Sequence, residues 1–297
     1  MTAARWLAAV VRTTRPRQWP KNLLVFAAPL AGGSAGRADG LGYAVLAAVA
    51  FGSASAAVYL VNDVIDAERD RRHPVKRHRP VASGALPGPH AVALAVLAAA
   101  CALAVAAMAG GPLLCVATAG YLCLSLVYCL GLKHVPFVEM ALVASGFLLR
   151  VLGGAAATHV PPSAWFLLVC SLGALGVAIA KRYTELASLG EQAIRHRPVL
   201  RWYQPRALRA AQVIIGALML AAYLAWACGE PAGSSAWRAA SAVPLVLALG
   251  RFGLLTGRQT ARQTARQVED MITRDVPMLA CEAAWLGLFC AGLYAGS

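Results

Sequence analysis

A polytopic, all-α membrane protein is the fold class this sequence predicts, on three observations. The 297 residues are 59% hydrophobic and 13% charged, whereas a water-soluble domain carries nearer a quarter charged residues. The apolar residues gather in runs long enough to cross a hydrocarbon core of about 30 Å, which takes roughly 20 helical residues. The remaining charge is one-sided: with the runs read as alternating crossings, 24 of the 27 Lys and Arg residues fall on one face. Backbone polar groups find no water inside a bilayer, so the runs are helices and not open strands.

Nine spans follow, at residues 22–36, 40–62, 89–109, 111–131, 136–157, 163–181, 208–228, 238–256 and 276–295. The first is the shortest and contains Pro29 and the Gly32–Gly33 pair. Before it, residues 1–20 hold "ARWLAAVVRTTRPRQW", whose apolar stretch is too short for a signal peptide and reads as a basic interfacial segment. Cationic residues then mark one side: Lys21 and the four arginines before it, the run 69–79, Lys133, the stretch from Lys181 to Arg209, and that from Arg251 to Arg274. Arg37 and Arg238 fall on the other side, and Arg150 lies within a span. The positive-inside rule puts the N-terminus and the charged loops in the cytoplasm and the C-terminus outside, with the plasma membrane as the expected location. A basic face of this kind attracts anionic lipid headgroups or anionic substrates, so the net charge of +14 calls for no nucleic acid.

One domain covers the chain. The eight cysteines all fall in spans without a CxxC pair, as small apolar residues packed between helices. The six histidines show no metal-ligand spacing, and "RQTARQTARQ" (258–267) reads as a polar loop. A homo-oligomer is compatible with this pattern of spans.

The chemistry is concentrated at the foot of the second span. "VNDVIDAERDRRHPVKRHRP" (61–80) carries four acidic residues and six Lys or Arg, a density of charge that lipid contact does not require. At about 100° per residue, Asp63, Asp66 and Asp70 share a stripe roughly 60° wide, with Asn62 on its border and Glu68 nearly opposite. Carboxylates so close repel one another and need a cation. Salt bridges to Lys76, Arg77 and Arg79 are one answer. The other is Mg²⁺, which takes oxygen ligands and is commonly shared between one or two carboxylates and a substrate phosphate. In that case the neighbouring cations hold the phosphate oxygens.

"NDVIDAERD" (62–70) resembles the NDxxDxxxD motif of the UbiA superfamily of intramembrane prenyltransferases, and "HPVKRHRPVASG" (73–84) resembles its continuation. The nine-span pattern agrees along the whole chain. The resemblance implies a UbiA-like bundle in which Asn62, Asp63, Asp66 and Asp70 coordinate Mg²⁺ bound to a diphosphate. Most of that superfamily also carries a second acidic motif, DxxxD. Here "AIAKRYTELASLG" (178–190) puts Lys181, Arg182 and Glu185 in its place. "RPRQWPKN" (15–22), "YCLGLKHVPFVEMALVASGFLLRVLGGAAA" (128–157) and "KRYTEL" (181–186) are similar to one branch, the decaprenyl-phosphate phosphoribosyltransferases of cell-wall arabinan synthesis. Glu139 stands where that branch more often has aspartate, and "VEDMITRD" (268–275) resembles a late acidic segment of it.

Several polar and cationic residues can be read two ways. Lys21 and Asn22 either anchor the first span at the interface or grip a phosphate. Lys133 is either a topological cation or a ligand. Lys181 and Arg182 suit a helix C-terminus, with Glu185 paired to Lys181 at i,i+4, or else a second phosphate. Arg150 lies well inside its span, where charge is costly and commonly functional. Glu139, eleven positions earlier, shares its helix face about 16 Å away along the axis, so both look inward toward one cavity.

The branch implies transfer of phosphoribose from soluble 5-phosphoribosyl 1-diphosphate to a polyprenyl phosphate in the bilayer, with loss of pyrophosphate. The acceptor is already anionic and needs no general base. The nearest rival is a UbiA-type prenyltransferase that moves an isoprenoid from its diphosphate to a small acceptor. The donor on which turnover depends separates the two. A transporter using intramembrane charge is the rival from another class, but the acids cluster at one face and no inverted repeat is evident. The glycine-and-arginine acidic motif of CDP-alcohol phosphotransferases is absent.

Overall fold

The computed structural model describes residues 2–33, 38–73, 75–229, 235–261 and 268–294. Its regular structure is all helix, with no strand among the described residues. Among the described residues, seven helices are long and apolar enough to cross a membrane. The chain divides into two compact units, Met1–Leu132 with Leu149–Pro161, and Lys133–Leu148 with Pro162–Ser297.

In the first unit, α1 (Ala3–Thr13) is the expected basic amphipathic segment and buries Ala9 and Thr13. The expected span 22–36 takes a different form. Pro16–Phe26 is a 3₁₀ helix, followed by the five-residue α2 (Ala27–Ala31). Pro20 and Pro29 lack the N–H that a continuous α-helix needs, and Gly33 leaves the helical region at φ +70°. Residues 34–36 of that span lie outside the described residues.

The body of this unit is α3 (Ala38–Ile65) against α5 (Gly88–Leu130). Ala47, Ala50, Ala54 and Ala57 of α3 and Ala102, Ala106, Ala109 and Ala117 of α5 are buried in one cluster. Small side chains let helix backbones approach where lipid provides no hydrophobic drive. Straight, the 43 residues of α5 would reach about 65 Å, twice the hydrocarbon thickness. Gly111 breaks the helix at φ +61°, ψ −152°, beside Pro112. Cys115 Sγ then lies 3.9 Å from the Leu103 carbonyl oxygen, which a straight helix would hold about 18 Å away. α5 therefore doubles back, and its two arms match the expected spans 89–109 and 111–131.

α6 (Val138–Thr158) contributes to both units. On its first-unit half, a Cβ at Gly154 would strike the Val25 carbonyl and one at Gly153 the Phe51 ring. Gly154 thus lets the 3₁₀ segment lie directly against α6, and Gly153 makes room for Phe51 of α3.

The second unit contains α7 (Ala164–Leu189), α8 (Glu191–His196), a 3₁₀ turn at Pro198–Trp202, α9 (Pro205–Gly229), α10 (Ser235–Ala261), α11 (Val268–Arg274) and α12 (Val276–Tyr294). Ser163 caps α7 by accepting from the Phe166 N–H at 3.1 Å, and Gly190, at φ +53°, ends it. Asp275 caps α12 by accepting from the Met278 N–H at 3.0 Å. The same carboxylate receives a two-pronged bond from Arg251 of α10, at 3.0 and 2.8 Å. That guanidinium holds the Asp275 carboxyl below its ordinary pKa. Toward the other ends of α9, α10 and α12, Tyr223 bonds Ser241 at 2.6 Å and accepts from Trp285 at 3.1 Å, within an aromatic group that includes Trp226 and Phe289.

Two smaller expectations are corrected. Cys101, Cys123 and Cys228 are exposed on their helices instead of packed between them; lipid tails are as apolar as a core and accept a thiol equally well. Arg258–Ala261 of the polar repeat continue α10, because Arg, Gln and Ala are good helix formers. Residues 262–267 of the repeat, residue 295 of the last span, and the side chains of Glu269 and Asp270 lie outside the described residues.

Candidate active site

α3 ends at Ile65, and Asp66 links it to α4 (Ala67–Arg71). The Asp66 N–H bonds the Asn62 carbonyl at 2.9 Å and the Asp70 N–H the Asp66 carbonyl at 2.8 Å. Helical hydrogen bonding thus carries across the junction, and the acidic stripe survives it. Asp63 and Asp70 are only 2% and 3% exposed, while Glu68 points to solvent and meets Arg72 at 3.9 Å.

The buried carboxylates converge on one nitrogen. Arg79 Nη1 donates to Asp63 Oδ1 at 3.3 Å and to Asp70 Oδ2 at 2.7 Å. Arg15 also donates to Asp63 Oδ1, and Arg69 stands 4.0 Å from Asp66. Of the three salt-bridge candidates named from sequence, Arg79 reaches the stripe. Arg77 Nε donates to His78 at 3.3 Å, and the backbone N–H of Lys76 donates to His73 Nδ1 at 3.2 Å. Asn62 accepts from Cys129 Sγ at 3.5 Å. Among the described residues no three His, Cys, Asp or Glu side chains gather as a ready-made metal cage. A small hard cation bound through two carboxylates and a substrate phosphate does not need one. Two buried carboxylates already turned toward a common positive charge, both oxygen donors, fit such an ion.

Arg15, which the positive-inside rule reads only as a topological cation, opens the "RPRQWPKN" stretch. That stretch is tied down along its length. Arg15 lies over the Tyr59 ring, 4.8 Å from the centroid. Gln18 accepts from Lys21 Nζ at 2.6 Å and from the Tyr59 hydroxyl at 3.2 Å. Asn22 accepts from Arg150 Nε at 2.9 Å. Arg150, 4% exposed, also donates to Ser55 at 2.9 Å and Tyr121 at 3.1 Å and stacks on the Tyr121 ring. Polar Ser55 and Tyr121 inside apolar spans were the available signal for this group.

The second unit holds a separate ionic cluster. Glu139, 0% exposed, accepts from Arg182 Nε at 2.6 Å, Arg197 Nη2 at 3.0 Å and the Tyr203 hydroxyl at 3.4 Å. Tyr203 in turn accepts from the Phe137 N–H at 2.8 Å, where Phe137 adopts φ +62° just before α6. Burial raises the Tyr203 pKa above its ordinary value. Glu185 pairs with Arg182 at 2.8 Å, and the planar fork of Arg182 bridges Glu139 and Glu185 at once. Lys181 Nζ lies 5.8 Å from the Phe147 ring centroid. Lys133 sits half-buried in the 3₁₀ turn Leu132–His134. Glu139 and Arg150 share α6 but take separate partners.

Comparisons with known proteins bear on the family and fold of the chain. The model of the UbiA prenyltransferase family matches residues 23–272. The decaprenyl-phosphate phosphoribosyltransferase of Mycobacterium tuberculosis is 37% identical over 291 residues, covering 95% of this chain and 93% of that one. The enzyme of the same name from Corynebacterium glutamicum is 37% identical over 261 residues, 84% and 77% of the two chains. A UbiA homolog from Archaeoglobus fulgidus, solved with GPP and Mg²⁺, shares the fold with a TM-score of 0.67 at 16% identity, over 97% of this chain and 98% of that one. The buried NDxxDxxxD stripe and the all-helical fold thus meet in one conclusion: the chain belongs to the UbiA prenyltransferase family.

Proposed function

We propose that the protein transfers the 5-phosphoribosyl group of 5-phosphoribosyl 1-diphosphate to a polyprenyl phosphate of decaprenyl type, releasing pyrophosphate. The observation that carries this reading is the buried Asp63–Arg79–Asp70 group at the foot of α3. It belongs to a chain similar over nearly its whole length to relatives bearing that activity's name.

Asp63, Asp66 and Asp70, with Asn62 beside them, would hold Mg²⁺. The ion, when bound, supplies positive charge to the departing diphosphate oxygens. Arg15 and Arg79, with Lys76 and Arg77 on the adjoining turn, offer N–H donors to the remaining phosphate oxygens. Lys21 and Asn22 sit on the segment that Arg150 secures, so Arg150 acts as a positioning residue for that segment. The ribose C1–O bond breaks with its electron pair leaving on pyrophosphate, and an oxygen of the anionic acceptor phosphate forms the new bond to C1. Lys181 and Lys133 serve a second phosphate. Glu139 and Glu185 hold Arg182 in a fixed orientation for the same purpose. The expected topology stays part of the proposal: nine crossings at the plasma membrane, with the N-terminus and charged loops cytoplasmic and the C-terminus outside.

The test is donor dependence in purified protein. Pyrophosphate is expected to be released from 5-phosphoribosyl 1-diphosphate only when a polyprenyl phosphate is present. Turnover that needs a prenyl diphosphate and ignores the phosphoribosyl donor would overturn the assignment.

A further inference from the structure

We propose that Arg209 is the centre of a phosphate-binding site on the second unit, distinct from the residues assigned to transfer. Arg209 lies half-buried in the second turn of α9. Its Nη1 donates to Gln212 Oε1 at 3.2 Å and to Thr256 Oγ1 at 3.1 Å, and its guanidinium stands 5.7 Å from the centroid of the Tyr183 ring. Gln212 Nε2 donates to Thr256 at 3.3 Å, and Thr256 to the Gly253 carbonyl at 3.0 Å. Gln212 and Thr256 are both buried, so the frame is rigid.

Every one of these partners is neutral. Among the described residues no carboxylate pairs with Arg209. A guanidinium has five N–H groups in a fixed fork. The frame engages both hydrogens of Nη1 and leaves the Nε and Nη2 edge pointed in a set direction. Arg206, exposed one turn earlier on the same helix, adds a like charge at i,i+3, which costs stability until an anion bridges the two.

The depth is right for a phosphate. Tyr183, Arg209 and Thr256 lie near the ends of the candidate spans Ala164–Ser188, Pro205–Gly229 and Ala236–Arg258, and their contacts put those ends on one side. A guanidinium held at that level meets the headgroup layer, where lipid phosphates and free phosphate offer the same oxygen chemistry.

The full-length protein in detergent, titrated with phosphatidylglycerol, phosphatidylcholine and inorganic phosphate and read by native mass spectrometry, tests this. Arg209→Gln is expected to bind phosphatidylglycerol about tenfold more weakly than the parent, the size of one charge-assisted hydrogen bond. Phosphatidylcholine binding should be unchanged. Thr256→Val, which keeps the charge but loosens its frame, should fall between the two and stands in if the first variant does not fold. Displacement of phosphatidylglycerol by millimolar inorganic phosphate would make free phosphate the ligand, and persistence would make it the lipid. Equal phosphatidylglycerol binding by the parent and both variants would overturn the site.

Discussion

Asp63→Asn is expected to lower pyrophosphate release by at least about a hundredfold, the scale on which loss of one preorganised charge-stabilising group is felt. The substitution keeps the side chain's size and removes its charge at the point where Arg15 and Arg79 meet. Arg79 retains Asp70 at 2.7 Å, so the fold should lose only about 1–3 kcal/mol, as for a weakened buried hydrogen bond. The variant should therefore elute as a folded species in size-exclusion chromatography. Glu68→Gln, in the same acidic run, is the matched control. Its carboxylate is exposed and its partner among the described residues, Arg72, stands 3.9 Å away, a surface pair worth about 0–1 kcal/mol. Normal turnover in Glu68→Gln beside loss in Asp63→Asn would locate the effect on the buried face of the helix. Equal turnover in both would remove Asp63 from the reaction.

Glu139→Ala is expected to have the largest effect on stability. The carboxylate is wholly buried and receives Arg182, Arg197 and Tyr203. Removing one member of a buried ion pair costs about 3–5 kcal/mol because the other charge stays behind unpaired. Arg182 would keep Glu185, and Arg197 and Tyr203 would lose the acceptor that ties residues 197–203 to α6. Thermal unfolding followed by thiol labelling or fluorescence should shift several degrees downward. Glu139→Asp, which keeps the charge on a shorter arm, should recover part of the loss. An unchanged midpoint in Glu139→Ala would contradict the clamp.

Different physical causes made different parts of this molecule legible in its sequence. The acidic stripe was readable because helical geometry brings Asp63, Asp66 and Asp70 to one face regardless of what surrounds them, and Asp63 and Asp70 are indeed buried together. The two arms of α5 were readable from apolar length. The opening segment was not. Pro20 and Pro29 convert an apolar run into a 3₁₀ helix and a short α-helix, and hydropathy alone does not report missing backbone donors. Arg197 and Tyr203 were also invisible. They reach Glu139 from 58 and 64 residues away, and nothing local distinguishes Arg197 from the other cations of the same basic stretch. Arg15 was overlooked for a related reason, since a cation beside a membrane span satisfies topology whether or not it also pairs with an acid.

The most direct test of the central claim is metal dependence at the α3 foot. Purified protein treated with a chelator and dialysed should release no pyrophosphate from 5-phosphoribosyl 1-diphosphate and polyprenyl phosphate, and added Mg²⁺ should restore release in the parent but not in Asp63→Asn. Full release in the chelated parent would contradict it.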